Sequence, residues 1–181
     1  LEMYKLCTGL GVKHLSIGRF IFAGNGKNLT EANFIGNEIK EVFYEIIEKG
    51  KIVPDLNIRV RDQLVKIITI LNEIEIPKNV NLSQKPYIGI NYLALDTYGN
   101  VYGDRQLDII VGNVHKKSLA DIWLKSRKLK QLKGGKKYLR GKCITCSIND
   151  FCMGGNKTAS YGLTGSPFEP DPGCWINEEV K

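Results

Sequence analysis

Four cysteines crowd the C-terminal part of the chain and constrain it more than any hydrophobic pattern does: Cys143, Cys146, Cys152 and Cys174, spaced C-x2-C-x5-C-x21-C. Thiolates at this density, interleaved with glycines, are what a chain needs to ligate an iron–sulfur cluster or a zinc ion. The C-x2-C pair lets two sulfurs reach one metal centre from a single turn. The third and fourth ligands then close a loop that has little apolar core of its own. Spacing alone leaves cluster and zinc both open, and in either case the segment depends on its metal for order.

At 181 residues the chain fits one domain or two small ones. Its 43% apolar and 25% charged residues are the proportions of an ordinary globular protein. No run approaches the ~18 apolar residues that a membrane span needs. Glu2 and Lys5 interrupt the N-terminal stretch, which therefore does not read as a secretory signal. The expected compartment is the reducing cytoplasm, where clustered cysteines serve as metal ligands rather than disulfides. The remaining cysteine, Cys7, reads as a small buried hydrophobe. His14 and His115 stand apart from any cysteine or nucleophile pattern and receive no role.

The net charge of +7 is unevenly spread. Residues 125–142 hold nine basic residues and no acidic one, so everything else sums to −2. Such a stretch is either a solvated helix and loop or a surface for an anionic partner: an acidic peptide, a carboxylate-rich small molecule or nucleic acid. No aromatic residue interleaves through Lys125–Lys137, which argues against a base-stacking platform and hence against nucleic acid.

Before the cysteines, the chain alternates strand-like and helix-like patterns. A short helical segment ends at Gly9–Gly11, and Val12–Ile21 is a strand-like run. Ala23–Asn28 is a polar glycine loop; its Gly24-Asn-Gly-Lys27 lacks the spacing of a phosphate loop and reads as a connecting turn. Thr30 is the expected N-cap of a helix over Glu31–Glu48, with apolar positions from Phe34 to Ile47 on one face and Gly50 as its stop. Leu56–Val60 alternates as a strand, 63–73 reads as a helix, and Ile76–Pro86 as a linker. Strand–helix–strand order is the grammar of parallel α/β units. After Pro86 the texture changes. Tyr92–Asp96 and Val101–Tyr102 flank the turn Thr97–Asn100 as a small hairpin, Ile109–Val114 can add a strand, and Ser118 with Asp121 forms a capping arrangement opening a helix through Trp123. From Gly141 onward the chain is expected to be loop-rich.

These residues carry a specific resemblance. Leu139-Arg-Gly-Lys-Cys-Ile-Thr-Cys146, Phe151-Cys-Met-Gly-Gly155, Ala159-Ser-Tyr-Gly-Leu-Thr-Gly165 and Asp171-Pro-Gly-Cys-Trp175 resemble the SPASM domain of radical S-adenosylmethionine enzymes, a C-terminal module that carries auxiliary [4Fe–4S] clusters. The stretch Tyr92–Tyr102, with Val111-Gly-Asn-Val114 and Ser118–Trp123, looks like the same family's hairpin and helix. Residues 11–48 are similar to a late β/α unit of its partial TIM barrel. The resemblance implies an α/β fold in two parts: residues 1–84 as the last β/α units of a partial barrel, and residues 85–181 as a small α+β SPASM-like module.

Departures from the family pattern sharpen the expectation. Of seven cysteine positions that hold two auxiliary clusters, three fall here near Ile88, at Asp104 and at Asn156. All three serve one cluster in the family, whereas Cys143, Cys146, Cys152 and Cys174 serve the other. The resemblance thus implies a single auxiliary [4Fe–4S] cluster on those four cysteines, with zinc as the alternative metal. The C-x3-C-x2-C motif of the family's catalytic cluster does not occur in these 181 residues. The chain is accordingly expected to be a piece of a longer protein, whose missing N-terminal core would bind S-adenosylmethionine and perform the radical chemistry.

Four thiolates leave no iron open to substrate, so such a cluster relays electrons or holds the fold. Gly154 and Gly155 are expected to turn the chain tightly and aim amides at the sulfurs. Pro170, Pro172 and Gly173 return Cys174 to the site, with Trp175 and Phe168 as candidate shields. In the family's barrel the loop near residues 19–28 lies at the substrate-binding face, which makes Arg19 a candidate substrate or cofactor contact, weighed against an internal salt bridge. No catalytic residue is assigned within this chain. Family membership implies most often the maturation of a peptide or protein substrate, which the basic stretch 125–142 would suit. The alternatives are a radical enzyme of haem or haem-like tetrapyrrole biosynthesis, and a non-enzymatic zinc-stabilised binding module.

Overall fold

Leu56–Val60 shows how the first sheet forms. In strand β2 (Asn57–Val60), Ile58 and Val60 turn inward while Asn57 and Arg59 face out, the two-residue period of a half-buried strand. The structure, a computed structural model, describes residues 2–29, 36–82 and 88–176. Strand β1 (His14–Ile17) runs parallel to β2, in register from His14 opposite Asn57 to Ile17 opposite Val60. Strand β3 (Val80–Asn81) joins the other edge of β2, also parallel, giving the order β1-β2-β3. Helix α2 (Asn37–Ile52) links β1 to β2 and helix α3 (Val65–Leu71) links β2 to β3. This is an α/β arrangement, preceded by helix α1 (Glu2–Gly9), which buries Cys7 in the apolar core as a small hydrophobe. No described helix is long and apolar enough to cross a membrane.

Helix α2 turns Ile39, Phe43, Ile46 and Ile47 to the core, the three- and four-residue spacing of one helical face. The helix was expected to stop at Gly50, yet it continues to Ile52. Gly50 is there for closeness rather than termination: a Cβ at this position would collide with the Val80 side chain. Val80 itself lies in what the sequence suggested was a linker. Two residues are too short a run to register as a strand, and Asn79 anchors them by donating from Nδ2 to the carbonyls of Gly50, Val53 and Leu56, each at 3.0 Å. The expected cap Thr30, the helix start at Glu31 and the boundary at residues 84/85 lie outside the described residues.

The second half is built on an antiparallel sheet, β4 (Ala94–Leu95), β5 (Asn100–Tyr102) and β6 (Ile110–Asn113), in that order. Asp96 makes its hairpin: Oδ1 accepts from the Tyr98 and Asn100 amides at 2.9 and 2.8 Å, and Gly99 supplies φ +73°. Ser118 caps helix α4 (Leu119–Lys125), accepting from the Asp121 amide at 3.1 Å. Ser126 caps helix α5 (Arg127–Lys133) and donates to the Val111 carbonyl at 2.6 Å, tying helix to sheet. Val101, Leu107, Val111, Ile122, Leu129 and Leu132 fill the core between them.

The cysteine segment contains two helices that its glycine-rich sequence hid, α6 (Asn149–Cys152) and α7 (Lys157–Thr164). It packs against both halves. Ile148, Cys152, Trp175 and Ile176 join the core of the parallel sheet, with Trp175 edge-on to Phe43 at 6.1 Å. Tyr161 and Phe168 lie against the other core.

A buried charge cluster fixes this docking. Arg19, just beyond β1, has a side chain only 5% exposed, and its Nη1 and Nη2 donate to Asp171 Oδ1 and Oδ2 at 2.7 and 2.6 Å. Its Nε lies 3.0 Å from Asp62 Oδ2, beyond the end of β2, in ion-pair contact but off the line a hydrogen bond requires. Asp171 also accepts from the amides of Asn156 (2.7 Å) and Gly173 (2.8 Å), so one carboxylate orders two cysteine-bearing loops. Gly173 cannot be otherwise, because a Cβ there would occupy the space of Arg19 Nη1.

Two outcomes follow from this cluster. Asp171→Ala leaves Arg19 half-compensated and two amides without acceptors, and should cost about 3 kcal/mol in urea unfolding. Asp62 carries a pKa pushed up to about 6, by burial foremost and by Asp171, against the pull of Arg19. A carboxyl raised in the folded state favours folding while protonated, and that contribution is lost as pH rises through the folded pKa. The stability of Asp62→Asn relative to the unmodified chain should therefore rise between about pH 4 and about pH 7; a flat difference across that window would show that Asp62 does not titrate there.

Candidate metal centre

Each of the four cysteines is presented by a short, tight element. Cys143 ends a single 3-10 turn over Gly141–Cys143, and Cys146 follows in the next turn, its carbonyl accepting from the Asn149 amide at 3.2 Å. Asn149 in turn donates from Nδ2 to the Cys143 carbonyl at 2.7 Å, which locks the C-x2-C turn to helix α6. Cys152 is the last residue of that helix. Cys174 donates its amide to the Asp171 carbonyl at 2.9 Å, so the loop that the buried ion pair holds delivers the fourth thiol.

All four line one hollow, together with Leu64, Ile67, Ile148 and Ile176. The first two belong to the parallel α/β half, so the hollow sits where the cysteine loops meet the sheet. After Cys152 the chain takes up positive φ at Met153, Gly154 and Gly155 (56°, 83° and 73°). At Gly155 a Cβ would lie 2.6 Å from Asp171 Oδ2, and at Gly154 it would lie 2.5 Å from Leu139. This reversal brings the Gly155 N–H back to the Cys152 carbonyl at 3.2 Å, closing the turn after the third cysteine.

The electrostatics fit a metal centre. Burial, reinforced by the neighbouring sulfurs, pushes the Cys143 thiol up to about 11 and the Cys152 thiol up to about 12, and raises Cys174 as well. Four thiolates cannot share this space on protein charge alone; a cationic centre reverses the balance and deprotonates them outright. Lysines already lean the field that way. Lys142 acts on Cys143 and Cys174 while donating to the Cys174 and Ile176 carbonyls, both at 2.9 Å. The Cys152 sulfur acts on Lys66 and Lys157. Buried Asn149 Oδ1 and Trp175 Nε1 have no hydrogen-bond partner among the described residues.

Zinc and a cluster would draw on the same four thiols; among the described residues, no group of three or more His, Cys, Asp or Glu is placed closely enough to hold a single ion.

The other expected positions fall as follows. Arg19 points into the protein, and its guanidinium is engaged by Asp62 and Asp171 rather than open to a ligand. Trp175 is buried beside Cys146, Cys152 and Cys174 in the apolar core, whereas Phe168 packs on Tyr138 at 5.8 Å in the other core. In the basic stretch, Lys125 pairs with Asp121 (2.5 Å), Lys136 with Asp150 (3.2 Å) and Arg140 with Glu169 (3.2 Å), while Lys133 lies 3.7 Å over the Trp123 ring. Ile88, Asp104 and Asn156, where the resemblance expects further cysteines, all line a separate cavity of about 520 Å³. Asp171 and the three lysines escaped the sequence reading; nothing in the local pattern distinguishes them from surface charge.

Residues 87–147 match the family model of SPASM, an iron–sulfur cluster-binding domain. The chain is 28% identical over 90 residues to pre-heme d1 synthase of Dinoroseobacter shibae, covering 49% of this chain and 22% of that protein. It is 29% identical over 93 residues to AdoMet-dependent heme synthase of Oleidesulfovibrio alaskensis, covering 51% of this chain and 24% of the relative. The enzyme of that name from Nitratidesulfovibrio vulgaris is 28% identical over 86 residues, covering 48% and 23%. Each match spans less than a quarter of the relative's length. Residues 87–147, which carry the antiparallel sheet, helices α4 and α5 and the Cys143–Cys146 turn, are thus similar to a SPASM iron–sulfur cluster-binding domain, in a chain that resembles part of enzymes named for haem synthesis.

Proposed function

We propose that Cys143, Cys146, Cys152 and Cys174 hold one auxiliary [4Fe–4S] cluster of a radical S-adenosylmethionine enzyme that acts on a haem-type tetrapyrrole. The convergence of the four cysteines on one hollow carries the cluster assignment. The cluster, when bound, supplies electron relay and crosslinking of the loops, with all four ligands from protein. The chain's own residues hold it: Asp171 and Arg19 set the Cys174 loop, Asn149 sets the Cys143–Cys146 turn, and the Gly155 amide closes the turn after Cys152. The parallel three-stranded sheet in sequential order suits the last β/α units of a partial TIM barrel.

The tetrapyrrole assignment rests on the names of the relatives, all of which make haem or its precursors. A peptide substrate docking on residues 125–142 draws no comparable support, since several of those cations are already paired within the chain.

Anaerobic reconstitution with iron and sulfide should give a brown protein with broad visible absorption and about four irons per chain. Stoichiometric zinc without iron would overturn the assignment, and about eight irons would mean that a second cluster finds other ligands. Cys146→Ala should abolish iron loading and lower hydrogen-exchange protection across residues 141–175, while β2 and α2 keep theirs. Unchanged protection across 141–175 would show that the metal is dispensable to the fold.

A further inference from the structure

Residues beside the cysteines divide sharply in their exposure. Leu64, Ile67 and Ile176 line the hollow and belong to the core of the parallel sheet, and Trp175, next to Cys174, is buried in the same core. Several residues beside the other three cysteines face water instead. Ile144, directly after Cys143, is 62% exposed, and Phe151, directly before Cys152, is 63% exposed. Thr145 and Ser147, which flank Cys146, are exposed as well. Ile144 and Phe151 belong to one locked unit, because Asn149 at the start of α6 donates to the Cys143 carbonyl at 2.7 Å and the same helix carries Phe151.

The surround of this unit is basic. Helix α6 packs against both α3 and the 3-10 turn Gly135–Tyr138. Lys66 of α3 donates to the Phe151 carbonyl at 3.3 Å, and Lys136 of the turn pairs with Asp150 at 3.2 Å, next to exposed Lys137. Asp150 is the single acidic residue in positions 125–168, which hold ten basic ones. Exposed apolar side chains scattered singly need no explanation. Two of them on one cysteine-bearing unit, within a basic surround, have the make-up of an interface, an apolar centre inside a charged rim.

We propose that Ile144, Phe151 and the cations around them form the docking surface for a small acidic protein that carries one electron to or from the cluster. The proposal rests on the cluster assignment made above. A cluster whose four ligands all come from protein has no iron free for substrate, so its traffic is electrons. Electron tunnelling falls off steeply with distance, and a carrier must therefore dock where the centre lies close to the surface. Ile144 and Phe151, adjacent to Cys143 and Cys152, stand at such a place. Electron-transfer encounters bury less than about 1,200 Å² in total, so a small apolar contact and a steering field of opposite charge suffice.

The test follows electron transfer by stopped flow from the reconstituted chain, its cluster first reduced by one electron, to oxidised flavodoxin, a small acidic flavoprotein. The cluster gives up one electron, and the flavin takes it with one proton from solvent to become the neutral semiquinone. Free riboflavin accepts an electron by the same chemistry without a protein surface and serves as the control. The second-order rate with flavodoxin should fall at least about tenfold between about 50 mM and about 500 mM salt, while that with riboflavin stays level. Lys137→Glu should slow flavodoxin about tenfold at low salt, and Phe151→Ser and Ile144→Ser about threefold or more each, with riboflavin rates unchanged. A flavodoxin rate indifferent to salt, undiminished rates in iron-loaded Lys137→Glu and Phe151→Ser proteins, or equal slowing with riboflavin overturns the proposal. If Phe151→Ser does not load iron, Lys137→Glu on the neighbouring turn decides, and an unchanged rate there overturns it. Iron content on the same samples keeps the two readings apart: about four irons per chain with an unsteered flavodoxin rate sinks the docking surface alone, whereas absence of iron sinks the cluster and this surface with it.

Discussion

The pairing of Arg19 with Asp171 is the contact on which the rest of the molecule leans. Arg19 comes from the end of the first parallel strand and Asp171 from the loop that delivers the last cysteine, 152 residues later. A bidentate guanidinium–carboxylate pair fixes angle as well as distance, and here it does so with both side chains almost wholly buried. Buried ion pairs of this sort contribute little net stability compared with apolar packing, but breaking one is severe because the remaining charge has nowhere to go. Its role in this chain is therefore register. It permits one placement of the cysteine loops on the sheet and penalises every other.

That placement has an electrostatic consequence. The same loop that carries negative charge to Arg19 brings Asp171 near the thiols, where it raises the pKa of Cys143, Cys152 and Cys174 along with burial. A protein that only needed to stabilise thiolates would not put a carboxylate there. A protein that holds a cationic centre can, because the metal charge outweighs it, and Lys142 and Lys66 offset part of the excess. The folded chain is thus electrostatically incomplete around its cysteines, and a metal bound there would couple its loading to order in this segment.

Much of this was legible in the sequence, and the reasons differ by element. The cysteine spacing, the Asp96–Gly99 hairpin and the Ser118 cap are local chemistry, in which a few side chains satisfy nearby backbone groups, so a window of a few residues suffices. The apolar face of α2 was legible for the same reason. What failed was what only tertiary contact decides. Gly50 reads as a stop until Val80 is known to lie against it. Val80–Asn81 is too short to be a strand except beside β2. Arg19 reads equally as a ligand contact or a salt bridge until Asp171, 152 positions away, settles which. Helix α7 was hidden because its N-cap, Asn156, occupies a position read for its likeness to a cysteine ligand; its Oδ1 accepts from the Thr158 and Ala159 amides at 3.0 and 3.3 Å.

Asn156 and Asp104 also explain why a cavity persists beside the cysteine hollow. A residue standing where a ligand sulfur is expected can either fill the space or turn away to satisfy its own backbone. Both take the second course: Asn156 caps α7, and Asp104 closes its turn through the Gln106 amide and the Tyr92 hydroxyl. Short polar side chains that hydrogen-bond locally stabilise the loop without occupying volume beyond it. An apolar filler such as Leu would have gained burial energy, so the open space is not the arrangement that packing alone selects. The same Asp171 that orders Cys174 also positions Asn156 at the edge of this space through the Asn156 amide. The cysteine centre and the cavity are thereby held to one another by a single carboxylate.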